Sequence, residues 1–123
     1  MLHGIFGNAS EVETKDVQKD LEAILVTGEQ VVKGFRIYRD LFIFTDKRLI
    51  LIDKQGLRGK KAEYHSIPYK SISHFSVETA GTFDMDAEMK IYISGIRDPI
   101  QREFKRDADI KGVQKMLAQF ILK

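Results

Sequence analysis

The sequence predicts a mainly β (α+β) domain, a seven-stranded antiparallel barrel or sandwich with one α-helix before it and one after. Short runs rich in Val, Ile, Phe and Tyr recur between Val31 and Phe104, separated by turn residues at near-regular intervals. Apolar residues at helical spacing occur only on either side of that run. A length of 123 residues, with 43% hydrophobic and 31% charged content, suits one globular domain better than two. The expected layout is a single domain over 1–123, with a helix over 10–27, a barrel over 30–105 and a capping helix over 107–122.

In the first helix Val17, Leu21, Ile24 and Leu25 follow the i, i+4, i+7, i+8 spacing of one face, and charged residues fill the other. Ser10 or Thr14 is the candidate cap, and Gly28 sits where a left-handed residue would end the segment. Strands are expected at Val31–Tyr38, Leu41–Thr45, Arg48–Asp53, Lys60–Ile67, Ile72–Thr79, Ala87–Ser94 and Ile100–Phe104. Asp46-Lys47, Gln55-Gly56, Pro68-Tyr69, Ala80-Gly81 and Asp98-Pro99 supply the turns. The last helix starts after Asp107 or Asp109 and aligns Ile110, Val113, Met116 or Leu117, and Phe120 or Ile121. Gly112 weakens it by about 1 kcal/mol relative to Ala, so packing must hold it in place.

One feature breaks the half-buried pattern. Leu41-Phe42-Ile43-Phe44 and Leu49-Ile50-Leu51-Ile52 are apolar at both parities, and successive strand side chains point to opposite faces. Both faces of these strands therefore need a cover. The barrel interior is one; the other is either the N-terminal helix or a neighbouring subunit.

Composition excludes several classes of function. There is no cysteine, which removes disulfides, thiolate metal sites and cysteine nucleophiles. The 20 basic and 18 acidic residues nearly cancel, so the net charge of +2 gives no reason to expect specific nucleic-acid binding. No apolar stretch approaches the ~20 residues of a membrane span, and the first residues lack a signal-peptide pattern. A cytoplasmic chain with at most peripheral membrane contact is expected.

Phe44-Thr45-Asp46-Lys47-Arg48-Leu49-Ile50-Leu51-Ile52-Asp53 and Glu63-Tyr64-His65-Ser66-Ile67-Pro68-Tyr69-Lys70-Ser71-Ile72, with seven strands and a closing amphipathic helix, resemble the bacterial pleckstrin-homology (PH) domain family. Phe6-Gly7-Asn8-Ala9-Ser10-Glu11 and Ser76-Val77-Glu78-Thr79-Ala80-Gly81 resemble its single-domain branch. The resemblance covers nearly the whole chain. It implies a strongly bent PH-like barrel plugged at one end by the C-terminal helix, and a cytoplasmic, self-assembling, ring-forming protein without an assigned biochemical role. Read physically, Thr45-Asp46-Lys47-Arg48 is a tight corner whose side chains can bond the backbone. Tyr64 and Tyr69 bring large apolar bodies whose hydroxyls need partners.

Eukaryotic PH domains that read phosphoinositides use bases on the first strand and the loop after it. Here that connection is only Arg39-Asp40, which argues against inositol-phosphate recognition. The remaining basic cluster is the turn Lys54–Lys61; Arg39, Lys54, Arg58, Lys60 and Lys61 form the candidate anion site, set against a plain solvated hairpin. Leu41, Phe42, Ile43, Phe44 and Phe83 are the candidate oligomer interface. Asp84, Asp86 and Glu88 alternate, yet without an EF-hand frame they read as solvated strand residues rather than a cation site. His3, His65 and His74 lack metal-ligand spacing, and no nucleophile elbow, Walker loop or dinucleotide motif occurs. No cofactor is expected. The predicted function is a noncatalytic, self-assembling scaffold with an unknown protein or anionic partner; the alternative is a module for acidic lipid headgroups or nucleic acid at the Lys54–Lys61 turn.

Overall fold

The computed structural model describes residues 12–37, 40–55, 61–81 and 85–122, the side chains of Lys54 and Gln55 excepted. In chain order the elements are α1 (Thr14–Asp20), β1 (Val31–Ile37), β2 (Asp40–Thr45), β3 (Arg48–Gln55), β4 (Lys61–Pro68), a 3-10 turn at Tyr69–Ser71, β5 (Ile72–Thr79), β6 (Ala87–Ile93), β7 (Ile100–Phe104) and α2 (Ile110–Ile121). The strands form two antiparallel sheets, β1-β2-β3-β4 and β5-β6-β7. The seven expected strands are present with ends shifted by no more than two residues, because turn chemistry fixes where a ladder stops.

The interior is built from alternate residues of both sheets. Phe35 and Ile37 of β1, Phe42 and Phe44 of β2, Leu49 and Leu51 of β3, and Met89 and Ile91 of β6 share one buried cluster with Phe104, Ile110, Val113 and Leu117. The α2 helix lies against this cluster. Asp109 Oδ1 accepts from the Gly112 N–H at 2.9 Å, which satisfies one of the free donors of the first turn. A Cβ on Gly112 would collide with the Asp109 carboxylate and come within 2.9 Å of Phe35 Cε1, so this glycine lets the helix start close to the barrel. At the far end of α2, Phe120 stacks on Tyr69 with ring centres 4.3 Å apart.

The other face of β2 and β3 has its own cover. Leu41, Ile43, Ile50 and Ile52 cluster with Val12, Val17 and Leu21 of the N-terminal segment, separately from the barrel interior. The four candidate interface residues of β2 are divided between these two clusters. Leu41 is 1% exposed and Phe42, Ile43 and Phe44 are 0% exposed within the chain itself. Phe42 and Phe44 face the barrel interior, and Val12, Val17 and Leu21 seal Leu41 and Ile43. None of the four is available to a subunit in this arrangement, and Phe83 lies outside the described residues.

The first helix is shorter than the periodicity predicts. It ends at Asp20; Leu21 takes φ −101°, ψ 5°, and turns follow. Its N-cap is Glu13, with no side-chain cap bond, and Thr14 is the first helical residue rather than the expected cap; Ser10 is outside the described residues. Gly28, at φ +84°, is the predicted left-handed residue, but it turns the loop beyond the helix.

That loop delivers Glu29 into the Thr45–Arg48 corner. Thr45 Oγ1 donates to Glu29 Oε2 at 2.6 Å and accepts from the Lys47 and Arg48 N–H groups at 3.0 and 2.9 Å. Arg48 grips both carboxylate oxygens, Nε to Oε2 at 2.9 Å and Nη2 to Oε1 at 3.0 Å. It also reaches the Ile24 carbonyl at 2.7 Å and Ser66 Oγ on β4 at 3.0 Å. Glu29 is 2% exposed. Burial alone would push its carboxyl up, but the bonds from Arg48, Thr45 and the Val26 N–H, with the Arg48 charge, outweigh that and hold it below its ordinary value. Gln18 completes the tie, donating to the Glu29 carbonyl at 2.9 Å and accepting from the Val31 N–H at 2.6 Å. The corner is thus a fastening for the chain's own N-terminal segment.

Candidate functional site

The end of the barrel where β1 hands over to β2 and β3 to β4 is closed by charge. Asp40 opens β2, Asp53 lies near the end of β3, and Arg102 sits in β7 between the inward residues Ile100 and Phe104. Arg102 Nη2 donates to Asp53 Oδ2 at 2.7 Å, and its Nε lies 3.7 Å from Asp40 Oδ2. The three side chains are only 20–27% exposed, and this bridge is what joins the second sheet to the first at this end. A cleft of about 380 Å3 opens beside it, lined by Ile37, Asp40, Arg102, Glu103 and Lys105. The guanidinium charge is already matched by two carboxylates, so Arg102 itself offers a phosphate little unpaired positive charge.

The candidate anion residues fall mostly outside what the structure describes. Arg39, Arg58 and Lys60 are not among the described residues, and of Lys54 only the backbone is, paired with Ala62. Lys61 opens β4 and is exposed. The five are therefore not seen to converge.

The second sheet has one face in solvent. There Ser76, Lys90 and Gln101 lie opposite one another across β5, β6 and β7, as do Glu78, Glu88 and Glu103. His74 stacks on Tyr92 in the same face, ring centres 4.2 Å apart. Glu78, Asp86, Glu88 and Glu103 line a shallow cleft of about 390 Å3. Of the expected acidic alternation, Asp84 is outside the described residues. Asp86 precedes β6 and accepts from the Arg106 N–H at 3.0 Å, with Lys105 Nζ 3.9 Å away. Among the described residues no three His, Asp or Glu side chains are grouped as a metal site, and no helix is long and apolar enough to cross a membrane.

The β4 strand is the most open element. It ends the first sheet, with no strand beyond it among the described residues. Six of its eight residues are exposed, Tyr64 is half-buried and only Ile67 is buried. His65 pairs with Leu51 and Glu63 with Asp53, so both take the interior side of the sheet, yet both are exposed. The barrel wall is open along this strand. On the outer side, burial and then the Asp20 charge raise the Tyr64 phenol. Tyr69 donates to the Thr45 carbonyl at 2.6 Å, and burial, helped by Asp46 and Glu29, keeps its phenol protonated well past the usual range.

A sheet of four strands and one of three, an interior plugged by a C-terminal helix, and a Thr45–Arg48 corner binding the N-terminal segment together make a PH-like architecture. The model of the bacterial PH domain family matches residues 1–121. The chain belongs to that family. An uncharacterized Bacillus subtilis protein, YjqA, is 57% identical over 118 residues, 95% of this chain and 94% of that one. A second uncharacterized B. subtilis protein, YozO, is 31% identical over 96% of this chain and 97% of its own. Among solved structures, a pleckstrin homology domain from Shewanella amazonensis is 55% identical with a TM-score of 0.86, covering 97% of this chain and 96% of its own. A pleckstrin-homology protein of the duf1696 family from Shewanella loihica, also 55% identical, matches with a TM-score of 0.79 over 94% of this chain and 98% of its own.

Sequence reasoning missed Glu29 and Arg102. For Arg102 a signal exists: Ile100, Arg102 and Phe104 share parity, so a base sits in an inward row. For Glu29 there is none, since nothing in a loop sequence marks a carboxylate that a distant corner will bury.

Proposed function

We propose that this bacterial PH domain is a noncatalytic scaffold that self-associates and binds an unidentified protein partner through strand edges. The observation that carries the reading is β4, an eight-residue edge strand with exposed residues on both faces and no neighbour on its outer side among the described residues. Such an edge leaves backbone donors and acceptors free for another chain, and proteins that do not use one usually blunt it with proline, bulges or a covering loop. Here the register with β3 runs unbroken over all eight pairs, and the one proline, Pro68, stands at the last residue. The three groups with shifted acidity, Glu29, Tyr64 and Tyr69, are each accounted for by burial and local partners rather than by a shared catalytic pocket.

Light scattering on the intact protein tests this. The expected result is an oligomer that dissociates when Ala62→Lys and His65→Lys place bases on both faces of the edge. A strictly monomeric wild type at high concentration contradicts it, as does an oligomer indifferent to the double substitution.

A further inference from the structure

We propose that residues 12–30 form a strap that lifts from the barrel as a unit while both sheets stay folded, with the Glu29–Arg48 pair as its latch. The strap's apolar contacts form a cluster of their own: Val12, Val17 and Leu21 meet Leu41, Ile43, Ile50 and Ile52 on the outer side of the first sheet, and none of them belongs to the interior cluster. Opening the strap therefore leaves the interior packing in place. It also leaves the ladders of β1 to β4 whole, because α1 adds no strand to the sheet.

The strap cannot hold its own shape. A helix of seven residues without a side-chain cap is far below the length at which a helix persists alone in water. What seats it is a short set of bonds. The Val12 N–H donates to the Gly34 carbonyl at 3.1 Å at one end, and Gln30 and Asp46 exchange bonds of 2.9 Å at the other. Between these ends, Gln18, Thr45 and Arg48 supply the connections. Arg48 is the key element, because one guanidinium holds the strap at Glu29 and Ile24 while fixed to the sheet by its own strand and by Ser66. Segments with few contacts and a separate cluster open at lower cost than the whole domain. The consequence is an apolar face, that of Leu41, Ile43, Ile50 and Ile52, which the same chain covers and uncovers.

Hydrogen exchange of the full chain, read by mass spectrometry, decides the matter. The bonded strap amides of Val17, Leu21 and Leu25 are expected to exchange at least tenfold faster than amides of β6. Glu29→Gln should speed strap exchange by roughly ten- to a hundredfold, with β6 amides accelerated by no more than that factor and still slower than the strap. Met89→Ala, inside the barrel, should speed β6 exchange and leave the strap amides unchanged, because the barrel stays folded when the strap lifts. Should Glu29→Gln fail to fold, Leu21→Val replaces it with the same expected pattern at smaller size. Strap amides as slow as those of β6, or acceleration of the strap by Met89→Ala equal to that of β6, overturn the proposal.

Discussion

The two sheets solve the same burial problem in different ways. In the second, β6 alternates buried and half-buried residues from Ala87 to Ile91, and its outer rows are Ser76–Lys90–Gln101 and Glu78–Glu88–Glu103. In the first, β2 is buried from Leu41 to Thr45 and β3 from Leu49 to Ile52, on both faces. The difference lies in the cover: α2 closes only the shared interior, while the N-terminal segment adds a second layer over the first sheet alone. A strand that is apolar at both parities therefore signals two covers, and it does not say whose chain supplies the second.

The sharpest way to break the comparison is to put the same charge on the outer face of each sheet. Ile43→Asp, beneath the strap, should cost about 4 kcal/mol and release the strap while the barrel stays folded. Ser76→Asp, on the solvent face, should stay within about 0.5 kcal/mol. Urea denaturation measures both. If Ile43→Asp folds with near-native stability, the outer face is not sealed.

Next in size is the latch. Arg48→Gln leaves Glu29 buried without its counter-charge and should lower the urea-derived stability by about 3 kcal/mol. The pH dependence has a definite sign. Glu29 is held below its ordinary value of 4.5, so its contribution is present above that value and is lost as pH falls through the lower folded value. Urea midpoints of wild type and Glu29→Gln should differ at neutral pH and converge in acid; a constant gap across that range contradicts the assignment.

A third substitution addresses the cover that both sheets share. Gly112→Ala would ordinarily strengthen a helix by about 1 kcal/mol. Here the added methyl meets the Asp109 cap and the buried Phe35 ring, so the expected change is a loss of about 1–2 kcal/mol, read by thermal denaturation. The smallest effect belongs to the solvent face. Glu88→Lys, between Glu78 and Glu103, replaces like-charge neighbours with two opposite ones and should stabilise by about 0.5 kcal/mol at low salt, fading as salt rises.

The parts of the fold legible in the sequence were those with a period. Seven strands and the capping helix follow from alternation, helical spacing and turn residues, which left its cap open between Asp107 and Asp109 until the structure placed Asp109 there. The family corner at Thr45–Arg48 also read correctly as structural before functional. What the sequence did not reveal are long-range pairings: Glu29 with Arg48, nineteen residues apart, and Arg102 with Asp53, forty-nine apart. The second cover of β2 and β3 was left open between helix and subunit, because periodicity records that a face is buried and not what buries it. Leu41–Phe44, read as an interface for that reason, are buried within the chain itself. The exposed β4 edge was missed as well, since Glu63-Tyr64-His65-Ser66-Ile67 reads as an ordinary strand, and only the absence of a neighbour sets it apart.

Cross-linking tests most directly whether the second cover is the chain's own. The sequence has no cysteine, and a Cβ on Gly34 would lie 4.0 Å from Val12 Cβ, within the range a disulfide bridges. Val12→Cys with Gly34→Cys, oxidised at low protein concentration, should give a single species of monomer mass on a non-reducing gel. Covalent dimers or higher multimers in place of that species would mean that the first sheet is covered by a neighbour.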